Sequence, residues 1–150
     1  MNIEAFSYGE GKGAAIAPPE QARSHSIFSW RDYGNRVGFW RLMDMFDELN
    51  IPVEHQINTA IYEECPDIPS RIRERGDEFL GHGYTNSEEQ EGLSEDDERA
   101  MIRSCTKAIS EQEGKPPTGW MSPWLSNNET TMAVSYTHLT LPTSPQVESS

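Results

Sequence analysis

Short apolar runs in this chain are separated by amphipathic stretches, and that alternation restricts its possible folds more than any other feature. "NIEAF" (2–6), "VEHQIN" (53–58) and "DEFLGH" (77–82) read as strands, and "PPTGWMSPW" (116–124) as a fourth strand with its exit loop. Between the first two, Arg36 to Leu49 sets Val37, Trp40, Met43, Phe46 and Leu49 on one helical stripe. Asn50 is the predicted stop, and Pro52 prevents continuation. "DIPSRIRERG" reads as a helix closed by Gly76. "LSEDDERAMIRSCTKAISEQEG" carries the strongest helical signal. Ser94 and Asp97 form a capping-box pattern, acidic residues fill the first turn, and Met101, Ile102, Cys105, Ala108 and Ile109 make the apolar stripe. Strands alternating with helices at this spacing predict an α/β fold with a parallel sheet, either open or closed as a (β/α) barrel. In both, functional side chains collect at the C-terminal ends of strands. Glu4, His82 and Ser122-Pro123-Trp124 fall at or near such ends.

At 150 residues the chain can enclose a sizeable core. Its formal net charge of −13 argues against nucleic acid as a partner, because phosphates need a Lys/Arg surface. A small neutral or cationic ligand stays open, as does an acidic surface with no binding role. Cys65 and Cys105 have no partner at metal-ligand spacing, which suits buried free thiols in a reducing bacterial cytoplasm. No apolar run approaches a membrane span, so no membrane partner is expected. The oligomeric state stays open, and a homo-oligomer is compatible with the sequence.

Several residues could carry chemistry. His82 ends an apolar run between Gly81 and Gly83, which leave room for a ligand. It fits a general base, a metal ligand or a hydrogen-bond donor, and equally a histidine that caps a strand by bonding a nearby carbonyl. Asn86 could hold a ligand amide, or simply serve the turn in "YTNSEE". Glu4 could be a carboxylate base or ligand, or a surface residue. Trp120 and Trp124 could wall a pocket or fill the core. His25 sits in "RSHSIFSWRDYGNR", a predicted long loop rich in Arg and aromatics, the kind of segment that covers a substrate. His55 alternates with apolar neighbours and is assigned to the core. "GEGKG" (9–13) lacks the Gly-Lys-Ser/Thr ending of a phosphate loop and is not taken as one.

The end of the chain has a different character. "VSYTHLTLPT" (134–143) carries no helical stripe and breaks the acidic style of what precedes it. Read back into DNA in frame, it resembles a transposon adapter from sequencing libraries. Residues 1–131 are therefore expected to be native and 132–150 a non-native, unstructured tail, with His138 inside it. Met1 stands one residue before an apparent strand, so the chain is expected to be a fragment lacking both ends.

"RDYGNRVGFWRLMDMFDELNIPV", then "RIRERGDEFLGHGYTNSEEQ" and "GKPPTGWMSPWLSNNETT", resemble the polysaccharide deacetylases of the NodB-homology type, and within them the allantoinase-like and cyclic-imidase-like branch. The match runs in order from about Asn2 to Thr131. The resemblance implies the N-terminal part of a distorted (β/α) barrel and hydrolysis of a non-peptide carbon–nitrogen bond. Metal-dependent members carry an Asp-Asp pair after the first strand, a His-Ser/Thr-x-x-His motif and an Arg-x-Pro-aromatic segment. Here the corresponding positions offer Glu4, then His82 with Asn86, then Pro123-Trp124 preceded by Met121. The second carboxylate, second metal histidine and arginine are all missing. Exchanging imidazole for a neutral carboxamide weakens one of a zinc ion's three protein bonds.

The resemblance therefore implies a small-molecule C–N hydrolase, on a cyclic amide or ureide such as allantoin, with no required cofactor. His82 and Glu4 would be catalytic, and Asn86, Trp120, Pro123, Trp124 and His25 would bind substrate. If a weak divalent metal binds, Glu4, His82 and Asn86 would be its ligands. Two alternatives remain: a metal-dependent N-deacetylase of polysaccharide or peptidoglycan, and a barrel that binds a ligand without turnover. The fragment itself is expected to be inactive.

Overall fold

Three parallel strands lie side by side in chain order: β1 (Asn2–Ile3), β2 (Glu54–Ile57) and β3 (Glu78–Gly81). Ile3 pairs with Ile57, and Ile57 with Gly81, so the three C-terminal ends are level. The computed structural model describes residues 1–13 and 24–139. The expected strand at 2–6 is paired only over Asn2–Ile3. The expected fourth strand is reduced to a single parallel bridge, Gly81 to Trp120. Backbone bonds from Thr118 N–H to the Phe79 carbonyl, from Gly81 N–H to that of Gly119 and from Met121 N–H to that of Gly81 still hold 118–121 alongside β3. Pro117 has no N–H to extend this ladder backwards, and the chain turns away into a 3₁₀ turn at Pro123–Leu125.

The connections are helical, as parallel strands require. α1 (His25–Tyr33) runs through a π turn (Gly34–Gly38) into α2 (Phe39–Leu49). The long loop expected around His25 is therefore a helix. No residue of α1 is buried, so it has no apolar stripe to announce it. α2 buries Phe39 and Met43, packs Trp40 and Phe46 against the core, and leaves Leu49 exposed. It ends at Asn50 in the left-handed conformation, φ 52°. α3 (Ile61–Glu64) and α4 (Asp67–Arg75) follow β2, and Gly76 closes α4.

α5 (Glu95–Glu113) starts where the Ser94 hydroxyl accepts from Asp97 N–H, with four acidic residues in its first turn. It buries Ile102, Cys105 and Ile109. The core groups Ile57, Ile61, Ile68, Ile72, Phe79 and Ile109 with Phe39 and Met43. Both cysteines are buried and free. Among the described residues, no helix is long and apolar enough to cross a membrane.

The segment expected to be unstructured from residue 132 is helical as far as Leu139, in α6 (Thr131–Leu139), with Val134 fully buried. Tertiary contacts, not periodicity, support this helix. Its start is tied to the buried Glu98 carboxylate, which accepts from the hydroxyls of Thr130 and Thr131. Residues 140–150 of the expected tail lie outside the described residues.

Candidate active site

Because the strand ends are level, the residues just past them meet. Asn58, wholly buried after β2, joins all three: its Oδ1 accepts from Ala5 N–H at 2.9 Å and its Nδ2 donates to the His82 carbonyl. Its own N–H donates to the Ile3 carbonyl. This side chain takes the place of ladder bonds where the strands diverge.

His82 is 2% exposed. Its Nδ1 lies 2.7 Å from the Met121 carbonyl, which can only accept, so Nδ1 carries the proton. In the neutral ring Nε2 is then a lone pair. It has no hydrogen-bond partner and lies 3.7 Å from Glu4 Oε1. Burial acts to raise the pKa of the Glu4 carboxyl. Against it act His82 in its protonated form, then Asn2 and the charge of Arg31, and together they hold the carboxyl below the usual carboxylate range. The Asn35 amide fixes the Glu4 backbone by donating to its carbonyl at 2.8 Å.

Asn86 is tied by its backbone, which donates to the Ala5 carbonyl at 2.7 Å and accepts from Trp124 Nε1 at 2.6 Å. Its side-chain Oδ1 is buried without a partner. Trp124 and Leu125 both adopt positive φ, 59° and 55°, a costly conformation for residues with a side chain. The bond to Asn86 and the edge-on contact with Phe6 hold the Trp124 ring there.

These groups line a cavity of about 310 Å³. Glu4, His82 and Asn86 supply its polar wall, and Phe6, Trp30 and Trp124 its aromatic one, with Arg31 beside them. Phe6, Trp30, Arg31 and Asn58 carry no motif, and only the α1 register or the strand ends could have pointed to them. Trp120 and Pro123 do not line the cavity. Trp120 packs on the core and donates from Nε1 to Gln90 and Ser122, while Pro123 fills the space over Gly83. His25 lies outside the cavity too, stacked on Tyr8. Trp120 finds its acceptors inside the fold, and the exposed His25 finds an aromatic face on the surface.

As a metal site the donor set is poor. It holds one imidazole, one carboxylate and one neutral carboxamide, and among the described residues no three His, Cys, Asp or Glu side chains cluster. Catalytic zinc needs three such ligands and an open position. These residues do not fit that ion.

Residues 20–140 match the family model described as polysaccharide deacetylase. A Schizosaccharomyces pombe protein described as "Putative polysaccharide deacetylase" is 27% identical over 107 residues, covering 71% of this chain and 32% of that one. Among solved structures, that of a "putative polysaccharide deacetylase from Mycobacterium smegmatis" superposes with a TM-score of 0.69 at 25% identity, over 89% of this chain and 51% of that one. Puue Allantoinase shares the fold, with a TM-score of 0.65 at 24% identity, over 73% of this chain and 35% of its own. The chain thus spans between 32% and 51% of the length of these relatives.

Proposed function

The chain belongs to the polysaccharide deacetylase family, and from that premise we propose that its protein hydrolyses a non-peptide carbon–nitrogen bond in a small cyclic amide or ureide, without a required metal. The observation that carries this reading is the pair of buried, unpartnered atoms on one cavity, His82 Nε2 and Asn86 Oδ1. Buried polar atoms are normally satisfied, so two orphans on one small cavity favour a ligand that satisfies them.

In this reaction the lone pair on Nε2 takes a proton from water as its oxygen bonds to the substrate carbonyl carbon. Glu4, ionised and 3.7 Å away, stabilises the imidazolium that forms. Met121 holds the opposite ring nitrogen in the required tautomer. The C–N bond then breaks, and the proton on Nε2 passes to the leaving nitrogen. Asn86 Oδ1 accepts from the substrate N–H and so orients the ring. A volume of about 310 Å³ lies at the lower end for small-molecule sites and suits a single ring better than a sugar chain.

The family description favours a second reading, metal-dependent removal of acetyl groups from a polysaccharide. One experiment separates them. The protein from the complete reading frame is assayed on allantoin, succinimide and N-acetylated oligosaccharides, with and without chelator. Ring opening that survives chelation is expected. Acetate release abolished by chelator would replace the first reading with the second, and absence of any turnover would refute both.

A further inference from the structure

Beyond its charge, which helps to keep Glu4 ionised, Arg31 has no role in the reaction above and none in the core. Its guanidinium carbon lies 4.0 Å from the centre of the Phe6 ring, and Nη2 donates to the Gly13 carbonyl at 3.2 Å. Gly13 permits this approach. Its φ is +93°, and a Cβ there would stand 2.8 Å from the Phe6 ring. The guanidinium is therefore held against the cavity by a ring and a carbonyl. Its Nε is buried and has no hydrogen-bond partner. Among the described residues no carboxylate forms an ion pair with it, in a chain whose net charge is −13.

A fixed planar fork with a spare donor suits a ligand oxygen. Glu4 shares the cavity, so a second full negative charge there would be repelled, whereas a neutral carbonyl oxygen would meet only the fork. Building on the cyclic amide reading, we infer that Arg31 determines specificity by binding a second carbonyl oxygen of a neutral planar ring. The site then selects cyclic imides and ureides over simple lactams. His82 and Asn86 serve the scissile amide, and Arg31 reads the part of the ring beyond it.

The test compares binding of succinimide, with two ring carbonyls, and 2-pyrrolidinone, with one, by calorimetry on the protein from the complete reading frame. Wild type, Arg31→Gln and Arg31→Lys are measured, together with kcat and KM for succinimide. Wild type should prefer succinimide by about ten- to a hundredfold, the worth of a hydrogen bond to a charged group. Arg31→Gln should lose that preference and raise KM by the same factor, a larger effect than any on kcat. Arg31→Lys keeps the charge and much of the packing but not the fork, so it should lose most of the preference while melting like wild type. Full preference retained in either variant, or equal or absent binding of both probes by wild type, would overturn the inference. Binding preference with no turnover would overturn the hydrolase reading and leave this one standing.

Discussion

Replacing Asn58 by Asp, an isosteric change, should make stability depend on pH in a way that replacement by Ala does not. Asn58 is fully buried and gives one acceptor to Ala5 N–H and one donor to the His82 carbonyl. Asn58→Ala leaves both backbone groups unpaired, at about 1–3 kcal/mol each, so about 2–6 kcal/mol in total. Asn58→Asp keeps the bond from Ala5 but turns the donor into an acceptor facing the His82 carbonyl. Only the protonated carboxyl can donate to that carbonyl, and burial also disfavours the ionised form. Its folded pKa therefore rises above the unfolded value of about 3.9. The penalty is absent below the unfolded pKa, grows by about 1.4 kcal/mol per pH unit as pH rises, and levels off above the folded pKa. With a shift of about three units, the introduced carboxyl costs about 4 kcal/mol at pH 7. Urea unfolding from pH 5 to pH 8 measures it, with Asn58→Ala as the reference for the other titrating groups. The Asn58→Asp midpoint should fall relative to Asn58→Ala by on the order of 2 M across the range. Parallel profiles would refute the assignment of Asn58 as a donor to His82.

Other perturbations probe separate parts of the fold. Glu98 is buried, and although burial acts to raise its pKa, bonds from Thr130, Thr131, Gln90 and Asn128 hold it below the ordinary range. A depressed folded pKa means that its stabilisation is present above the unfolded value, about 4.3, and is lost as pH falls through the folded one. Acid unfolding followed by circular dichroism should show wild type losing stability in that window and Glu98→Gln losing less. Gly81→Ala would put a Cβ 2.9 Å from the Trp120 ring and 3.2 Å from Cys105 Sγ, costing about 1–3 kcal/mol in a denaturation curve. His82→Gln should lower turnover by about 10²–10⁴-fold while keeping succinimide binding within a few-fold, read by steady-state rates and calorimetry; unchanged turnover would remove His82 as the base.

The parts of this structure that were legible in the sequence are those set by local rules. Ser94 at the start of α5, Asn50 and Gly76 at helix ends, and the apolar stripes of α2 and α5 act over a few residues and show directly. His82, Glu4, Asn86 and Trp124 could be gathered because strand ends in an α/β sheet converge. Asn58 could not, because a polar residue after a strand looks like any loop residue until its two partners, 53 and 24 positions away, are known. α1 was hidden for a related reason: it buries nothing, and its importance lies in the two side chains it presents to the cavity. α6 depends on Glu98, a carboxylate that by composition belongs on the surface.

The π turn at Gly34–Gly38 sets the relative phase of the two helices it joins. One residue gained or lost in an α-helix turns everything beyond it by about 100°. The segment before the turn carries Trp30 and Arg31 to the cavity, and the segment after it carries Phe39 and Met43 into the core. An insertion or deletion here would therefore act like a change of gear teeth, swinging the cavity-facing side chains while α2 stays seated. Cavity wall and scaffold can drift apart in such a chain, because a single-residue change at one turn rewrites the first without asking the second to move.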